Sequence, residues 1–428
     1  MVRHAGRSCF ESYVERLARV VGHADRHEPL RAYLTGLLLT GERKSVEPMA
    51  ARIDPKHVQA RHQSMHHFVA SAPWDEQAVL AVARDYALEA LERHAPVNAW
   101  VIDDTGIPKK GQHSVGVARQ YCGVLGKTDN CQVAVSLSLA NATMSVPCAW
   151  RLYLPKPWAQ NKALRAAGGV PKQIVFRTKW QIALDQIDAQ LAEDLPRAPV
   201  VADAGYGVIT DFRDGLRARA LSYAVGITSS VGVWPLGMQP LPVAPWKGVG
   251  RPPVRRLRGP GHQPVSVEQL ARDLPRKAWK IVTWREGTRG RMSSRFAAVR
   301  VRTAHGERLR DLEWLVIEWP PQAPEPIKYF LSSIPEQVPL EQLIRLIKIR
   351  WRIERDYQEL KGELGLDHYE GRSWRGFHHH GALCIAAYCY IAAERARLSP
   401  PEPLAFLRAP ALPKGFRARG SPAATRAA

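Results

Sequence analysis

Two short stretches, VNAWVIDDT (97–105) and PVVADAGYG (199–207), limit what this chain can fold into more than any other feature. Each is a nearly unbroken apolar run of strand length that stops on an acid. A strand without polar alternation is buried on both faces, so it belongs in the middle of a sheet that helices cover. Between the two runs, FRTKWQIALDQIDAQLAED places apolar residues at spacings of three and four, the stripe of an amphipathic helix. CQVAVSLSLAN and CAWRLYLP read as further strands. The pattern predicts a mixed α/β sheet with helices. Carboxylates at the ends of neighbouring central strands are a common way to build an active site on such a sheet. Asp103, Asp104 and Asp203 are therefore the first candidates.

At 428 residues the chain is long for one core, so two or three domains are expected. Residues 1–95 read as a helical domain for DNA binding or dimerisation, with two short helices broken at Asp54-Pro55. A helix-turn-helix DNA reader would fit it, yet its 13 Lys and Arg against 12 Asp and Glu leave it nearly neutral, so a dimerisation or packing module stays open. Residues 96–227 form the first part of the core. Residues 228–330 are Pro- and Gly-rich early, then alternate in short strands such as WKIVTWRE, RFAAVRVRTA and EWLVIEWP. They hold six of the 13 Trp, and 18 Lys and Arg against 8 Asp and Glu, and they read as a β-rich insertion. Residues 331–394 return to the core, and 395–428 read as a basic, disordered tail.

The formal net charge of +21 calls for a polyanionic partner, nucleic acid first and an anionic membrane surface second. No run of about 18 apolar residues is present to span a bilayer, and the first residues carry no signal-peptide pattern. A cytoplasmic protein, nucleoid-associated when bound to DNA, is expected. Six cysteines with no C-x-x-C pair argue against a disulfide framework or a zinc site, and Cys384 and Cys389 read as small buried hydrophobes.

IRLIKIRWRIERDYQELKGEL (344–364) predicts one densely charged helix. Leu346, Ile349, Ile353, Tyr357, Leu360 and Leu364 form its apolar stripe, while Arg350, Glu354 and Lys361 line a second face. Glu354 is thus a third acid from a third segment. Three such carboxylates can hold two Mg²⁺ ions about 3.5–4 Å apart for in-line displacement at a phosphodiester. Hard oxygen ligands suit Mg²⁺, with Mn²⁺ as a substitute. His378, His379 and His380 are consecutive on a helix and cannot converge on one metal, so a surface or DNA-backbone role is expected for them.

These motifs together resemble the DDE transposases of bacterial insertion sequences, in the group with a Tyr-x2-Arg-x3-Glu-x6-Lys signature. Arg350, Glu354 and Lys361 fall on its last three positions, and Ile347 stands where the tyrosine belongs. VIDDTG matches the family's first motif through Asp104-Thr105, which selects Asp104 over Asp103, and VVADAGYG matches the second at Asp203. The resemblance covers 96 to about 394. It implies a ribonuclease-H-like catalytic domain interrupted by a β-rich insertion, with Asp104, Asp203 and Glu354 as catalytic metal ligands. It implies that Arg350 and Lys361 grip DNA phosphates. Lys109 and Lys110 are open between phosphate contact and a solvated turn. Trp284 and Trp319 are candidates to stack on an unpaired base, with Trp279 and Trp314 close behind. The implied activity is metal-dependent cleavage of double-stranded DNA at element ends and strand transfer, by a homodimer and without a membrane. A structure-specific nuclease of the same fold and a catalytically idle repressor are the competing readings.

Overall fold

The computed structural model of the chain describes residues 2–398, apart from 254, 255, 258, 260, 288, 289 and 306–308. Five α-helices come first among the described residues: α1 (Val2–Ala18), α2 (His27–Leu38), α3 (Val46–Ile53), α4 (Val58–Ala70) and α5 (Glu76–His94). The break between α3 and α4 falls at Asp54-Pro55, where the proline disfavours a helical residue before it. Asp75 caps α5 by accepting from the Gln77 amide at 2.8 Å.

The first apolar run becomes β1 (Ala99–Pro108), with Ala99 to Ile102 fully buried. After β2 (Ala118–Cys122), the long β3 (Lys127–Ala140) lies antiparallel to β1. The other edge of β3 is shared, by β2 along its first half and by β4 (Ser145–Leu152) along its second. Two short helices, α6 (Lys156–Gln160) and α7 (Lys162–Ala167), lead to the amphipathic α8 (Lys179–Ala192). The second apolar run is β5 (Val200–Ala202), parallel to β1. Then come α9 (Ala204–Gly207), α10 (Thr210–Ala218) and β6 (Tyr223–Ile227), the last parallel to β5.

The insertion does not stand apart from this sheet. It supplies β7 (Gly232–Pro235), β8 (Leu241–Val243), β9 (Arg256–Leu257), β10 (Val265–Ser266), α11 (Val267–Arg272), β11 (Lys280–Gly287), β12 (Gly290–Thr303) and β13 (Glu313–Trp319). β14 (Lys328–Ser332) then pairs with both β13 and β6. The result is one 12-stranded sheet in the order β10-β7-β12-β13-β14-β6-β5-β1-β3-β2, with β11 on β12 and β4 on β3, while β8 and β9 form a separate ribbon. Within it, β4-β3-β1 are antiparallel and β1-β5-β6 parallel, the mixed ribonuclease-H-like arrangement that the sequence implies.

The charged helix expected over 344–364 is two helices, α12 (Leu340–Lys348) and α13 (Trp351–Gly362). At the joint the amides of Ile349, Arg352 and Ile353 each bond three residues back, a tightened turn that re-aims the second helix. Ile349 and Ile353 then pack with Ala99, Val101, Ala140 and Val201 on one face of the sheet. The final helix, α14 (Trp374–Leu398), continues past residue 394, and the tail from 399 lies outside the described residues. No helix among the described residues is long and apolar enough to cross a membrane.

One hydrophobic core runs from Tyr13 in α1 through the sheet to Ala393 in α14. The three histidines expected at the surface are buried in it. They sit where α14 is enclosed by the N-terminal helices and the sheet, and backbone or hydroxyl groups face both nitrogens of each ring, although the neutral His379 ring can donate to only one of its two carbonyls. His378 Nδ1 faces the Trp374 carbonyl at 2.8 Å, and its Nε2 accepts from the Leu152 amide at 3.2 Å. His379 stacks on Trp74 at 3.6 Å and lies between the Val69 and Trp74 carbonyls. His380 donates to the Gly365 carbonyl and accepts from the Tyr33 hydroxyl, both at 2.9 Å. The polar spacing that suggests exposure is instead the joint between α14 and the first 95 residues.

Burial pushes all three imidazoles down to about 4. An unfolded histidine gains its proton as pH falls through about 6.5, whereas these resist until about 4, so stability present above 6.5 is lost as pH falls toward 4. Asp103 and Asp356, raised by burial to about 7 and about 6, act in the opposite sense and cancel when two variants are compared. Replacing His380 by Gln is expected to reduce the slope of unfolding free energy against pH, between 4 and 6.5, by one proton, about 1.4 kcal/mol per pH unit. Urea titrations across that range measure it, and an unchanged slope contradicts the assignment.

Candidate active site

The parallel pairing of β1 and β5 brings two acids together. Val101 pairs with Val201, and both pack under Ile349 and Ile353. Side chains alternate along a strand, so two residues further on Asp103 and Asp203 emerge on that same face and at the same end of the sheet. Asp203 closes its strand as the N-cap of α9, accepting from the Gly205 amide at 2.9 Å. The chain after it is pressed onto β6, where a Cβ on Gly207 would sit 1.9 Å from the Gly226 carbonyl oxygen. Only glycine allows that approach, which explains Gly207.

Asp104 faces the other way. Its Oδ2 lies 2.8 Å from Lys179 Nζ, at the start of α8, and 3.3 Å from the Tyr206 hydroxyl. The structure therefore brings Asp103, not the expected Asp104, to the face shared with Asp203 and α13. A one-residue difference in position along a strand is a change of face.

Across that face stands Arg350, from the turn between α12 and α13. Its guanidinium lies 3.0 Å from Asp103 Oδ2 and 3.4 Å from Glu354 Oε1. Glu354 is 63% exposed, whereas Asp103 is mostly buried. Burial first, and the neighbouring Asp203 and Asp104 charges next, push the Asp103 carboxyl up to about 7, against the opposing pull of Arg350. Burial alone would lower Arg350, but Asp103, Asp203 and Glu354 hold it above its ordinary value. Tyr357, one turn beyond Glu354, is tied to the Ser136 hydroxyl at 2.6 Å beside this cluster.

The other expected contacts are placed differently from one another. Lys361 is half-buried, and its ammonium donates to the Gly106 carbonyl at 2.8 Å, with burial lowering its pKa. Lys109 donates to the Tyr369 carbonyl at 2.7 Å, and Lys110 is exposed. Ile347, at the signature's tyrosine position, is buried with Ala224, Phe296 and Val316. Trp284 packs edge-on against Phe296 under the Lys348 ammonium, and Trp319 packs edge-on against Trp279 under Arg295. Both rings are partly buried. Trp246, which the motif reading passed over, is the more exposed at 54%.

Hard carboxylate oxygens suit a divalent cation, and a carboxyl raised by a second carboxyl is what such an ion would relieve. Among the described residues, however, no three His, Cys, Asp or Glu side chains already surround one point. Two aspartates share the end of the sheet, and the third acid meets them through Arg350. Lys179, Tyr206 and Tyr357 were not singled out by the sequence. The signal for Asp103 was the parity of the two strands, which needs the register to be read.

Comparison with known proteins bears on the same segment. The family model described as DDE superfamily endonuclease matches residues 16–291, more than half of the chain and including both aspartate strands. The helix with Glu354 lies beyond that match. A probable transposase for insertion sequence element IS701 from Microchaete diplosiphon is 32% identical over 186 residues, which is 43% of this chain and 46% of the relative. The matched part thus spans less than half of that relative's length. With a mixed ribonuclease-H-like sheet and paired acids at its end, the chain belongs to the DDE superfamily of endonucleases.

Proposed function

We propose that the protein is an insertion-sequence transposase that cuts double-stranded DNA at element ends and joins the freed 3′ hydroxyl to target DNA. The observation that carries this reading is the register-matched pair Asp103 and Asp203, facing Arg350 and Glu354 on α13. The name of the IS701 relative and the +21 charge support it. Asp103 and Asp203 would hold Mg²⁺, and Glu354 would complete the set as Arg350 turns from the carboxylates to a phosphate. A bound ion would supply Lewis-acid stabilisation of the negative charge on the phosphoryl and leaving oxygens and would lower the pKa of the attacking water. Arg350 neutralises the acids until DNA arrives. Tyr357 fixes α13 on β3, and Lys361 fixes the end of β1. Asp104 has a positioning role, tying α8 and the segment after Asp203 to β1 through Lys179 and Tyr206.

The test is purified protein, Mg²⁺ and an end-labelled duplex carrying the DNA that flanks the coding sequence, with a plasmid target. Metal-dependent cutting and joined products are expected. Cutting without joining would leave a hydrolytic nuclease, and tight binding without cutting would leave a repressor. Asp103→Asn, Asp203→Asn and Glu354→Gln should each lower the cleavage rate at least about 100-fold, as loss of a few kcal/mol of charge stabilisation requires. Asp104→Asn should keep cleavage within about tenfold and cost up to about 1 kcal/mol of stability, because Lys179 is partly exposed. A dead Asp104→Asn beside an active Asp103→Asn would reverse the two roles.

The raised Asp103 carboxyl also sets a pH dependence. A proton competes with a cation for it, so Mn²⁺ affinity of the DNA-free protein should rise with pH and level off above about 7. Arg350 holds that carboxyl down, so in Arg350→Ala the plateau should come at higher pH. Electron paramagnetic resonance of free Mn²⁺ reads both profiles, and a shift to lower pH contradicts the geometry.

A further inference from the structure

We propose that the β2–β3 hairpin is a separate DNA-contact surface that holds the duplex beside the cleaved phosphodiester; this rests on the nuclease reading above. Its position follows from register. Asp103 pairs with Ser136 on β3, and further along the same strand Thr128 pairs with Tyr121 and Asn130 with Arg119. Even-numbered β3 positions share one face, so Tyr121 and Arg119 look out on the same side of the sheet as Asp103. Thr128 is eight residues from Ser136, about 27 Å along a strand. At 3.4 Å per base step that is about eight base pairs from the acids.

At the hairpin this face is open and the opposite face is packed, whereas nearer the acids Thr105, Ile107, Gln132 and Ala134 of the same face are buried. Cys122, Cys131 and Val133 are buried beneath the hairpin with Tyr153 against them. On the open side Tyr121 is 64% exposed, and at the tip Val124 and Leu125 are 59% and 42% exposed. Exposed large apolar side chains clustered on a two-stranded projection need an occupant. The surrounding charge chooses it. Arg119 on this face, Lys110 in the adjoining loop and Lys127 on the opposite face are exposed around the hairpin. The loop with Lys109 and Lys110 is fastened to it, because Asn130 Nδ2 donates to the carbonyls of Lys109 at 2.6 Å and Gly111 at 2.9 Å. Asp129 is an acid on this projection, and Lys127 meets it at 3.1 Å. Cations around an aromatic and aliphatic tip match a duplex, with phosphates for the cations and a groove or base face for the tip. The same cations oppose a second copy of this basic face.

Binding is measured by anisotropy in EDTA, where no cutting intervenes, on labelled duplexes of the element end trimmed from about 12 to about 4 base pairs on one side of the scissile phosphate, at the eight-base-pair reach set by strand and DNA rise. The full-length protein is compared with Arg119→Ala and with the triple variant Tyr121→Ala, Val124→Ser, Leu125→Ser. Wild type should lose at least fivefold in affinity on trimming one of the two sides. Both variants should bind the long duplex more weakly and lose little further on trimming, with melting temperature and cleavage rate at saturating protein unchanged. Variants that keep the wild-type affinity and length dependence overturn the proposal. So does a triple variant that changes only sedimentation, which would make the tip a contact between copies. Asp103→Asn, assayed alongside, separates the two readings: an active Asp103→Asn that still shows the length dependence sinks the assignment of the acids and leaves the hairpin surface standing.

Discussion

Everything at the candidate site depends on the in-register parallel pairing of β1 with β5. Val101 opposite Val201 decides that Asp103 and Asp203 share a face, and that Asp104 does not. A slip of one residue would turn one strand's apolar set and its acid to the opposite face. Such a slip is opposed by the core itself, since Ala99, Val101 and Val201 are packed against Ile349 and Ile353. The hydrophobic contacts that hold the sheet are thus the contacts that aim the acids. Burial of Asp103 first, and the neighbouring Asp203 charge after it, make its ionised form unfavourable, and the raised carboxyl records both. Arg350 offsets that repulsion in the absence of a metal.

The remaining elements keep this arrangement rigid. Tyr13 donates to the Ala386 carbonyl at 2.8 Å and Tyr33 to His380, so α1 and α2 are tied to α14. Asp356, on α13, accepts from Ser145 on β4 at 2.6 Å and from Tyr388 on α14 at 2.7 Å. On the insertion side, Lys348 meets Glu318 of β13 at 2.6 Å beneath Trp284, which anchors the end of α12. The turn that carries Arg350 is therefore held from both ends.

Much of the fold was legible because its signals are local. Buried strands, the stripe of α8 and the break at Asp54-Pro55 each follow from a few neighbouring residues. What could not be read from neighbouring residues depends on distant partners. Nothing in VIDDTG says which aspartate faces α13, because that depends on β5, about a hundred residues away. No glycine or proline lies near Ile349-Arg350 to announce the break in the charged segment, which the packing of Ile349 and Ile353 accompanies. His378 to His380 looked solvated because their partners are the backbone of Val69 and Trp74, the hydroxyl of Tyr33 and the carbonyl of Gly365. The Trp-rich insertion could be recognised as strands, but not as an extension of the central sheet.

The central claim is that the aspartate pair which binds metal is the pair that the β1–β5 register puts on one face. Anomalous scattering from crystals of the protein grown with DNA and Mn²⁺ measures this directly. The account predicts a peak within about 2.0–2.4 Å of carboxylate oxygens of Asp103 and Asp203, as expected for a hard divalent ion, with the Asp104–Lys179 pair intact. A peak on Asp104, with Asp103 still paired to Arg350, would contradict it.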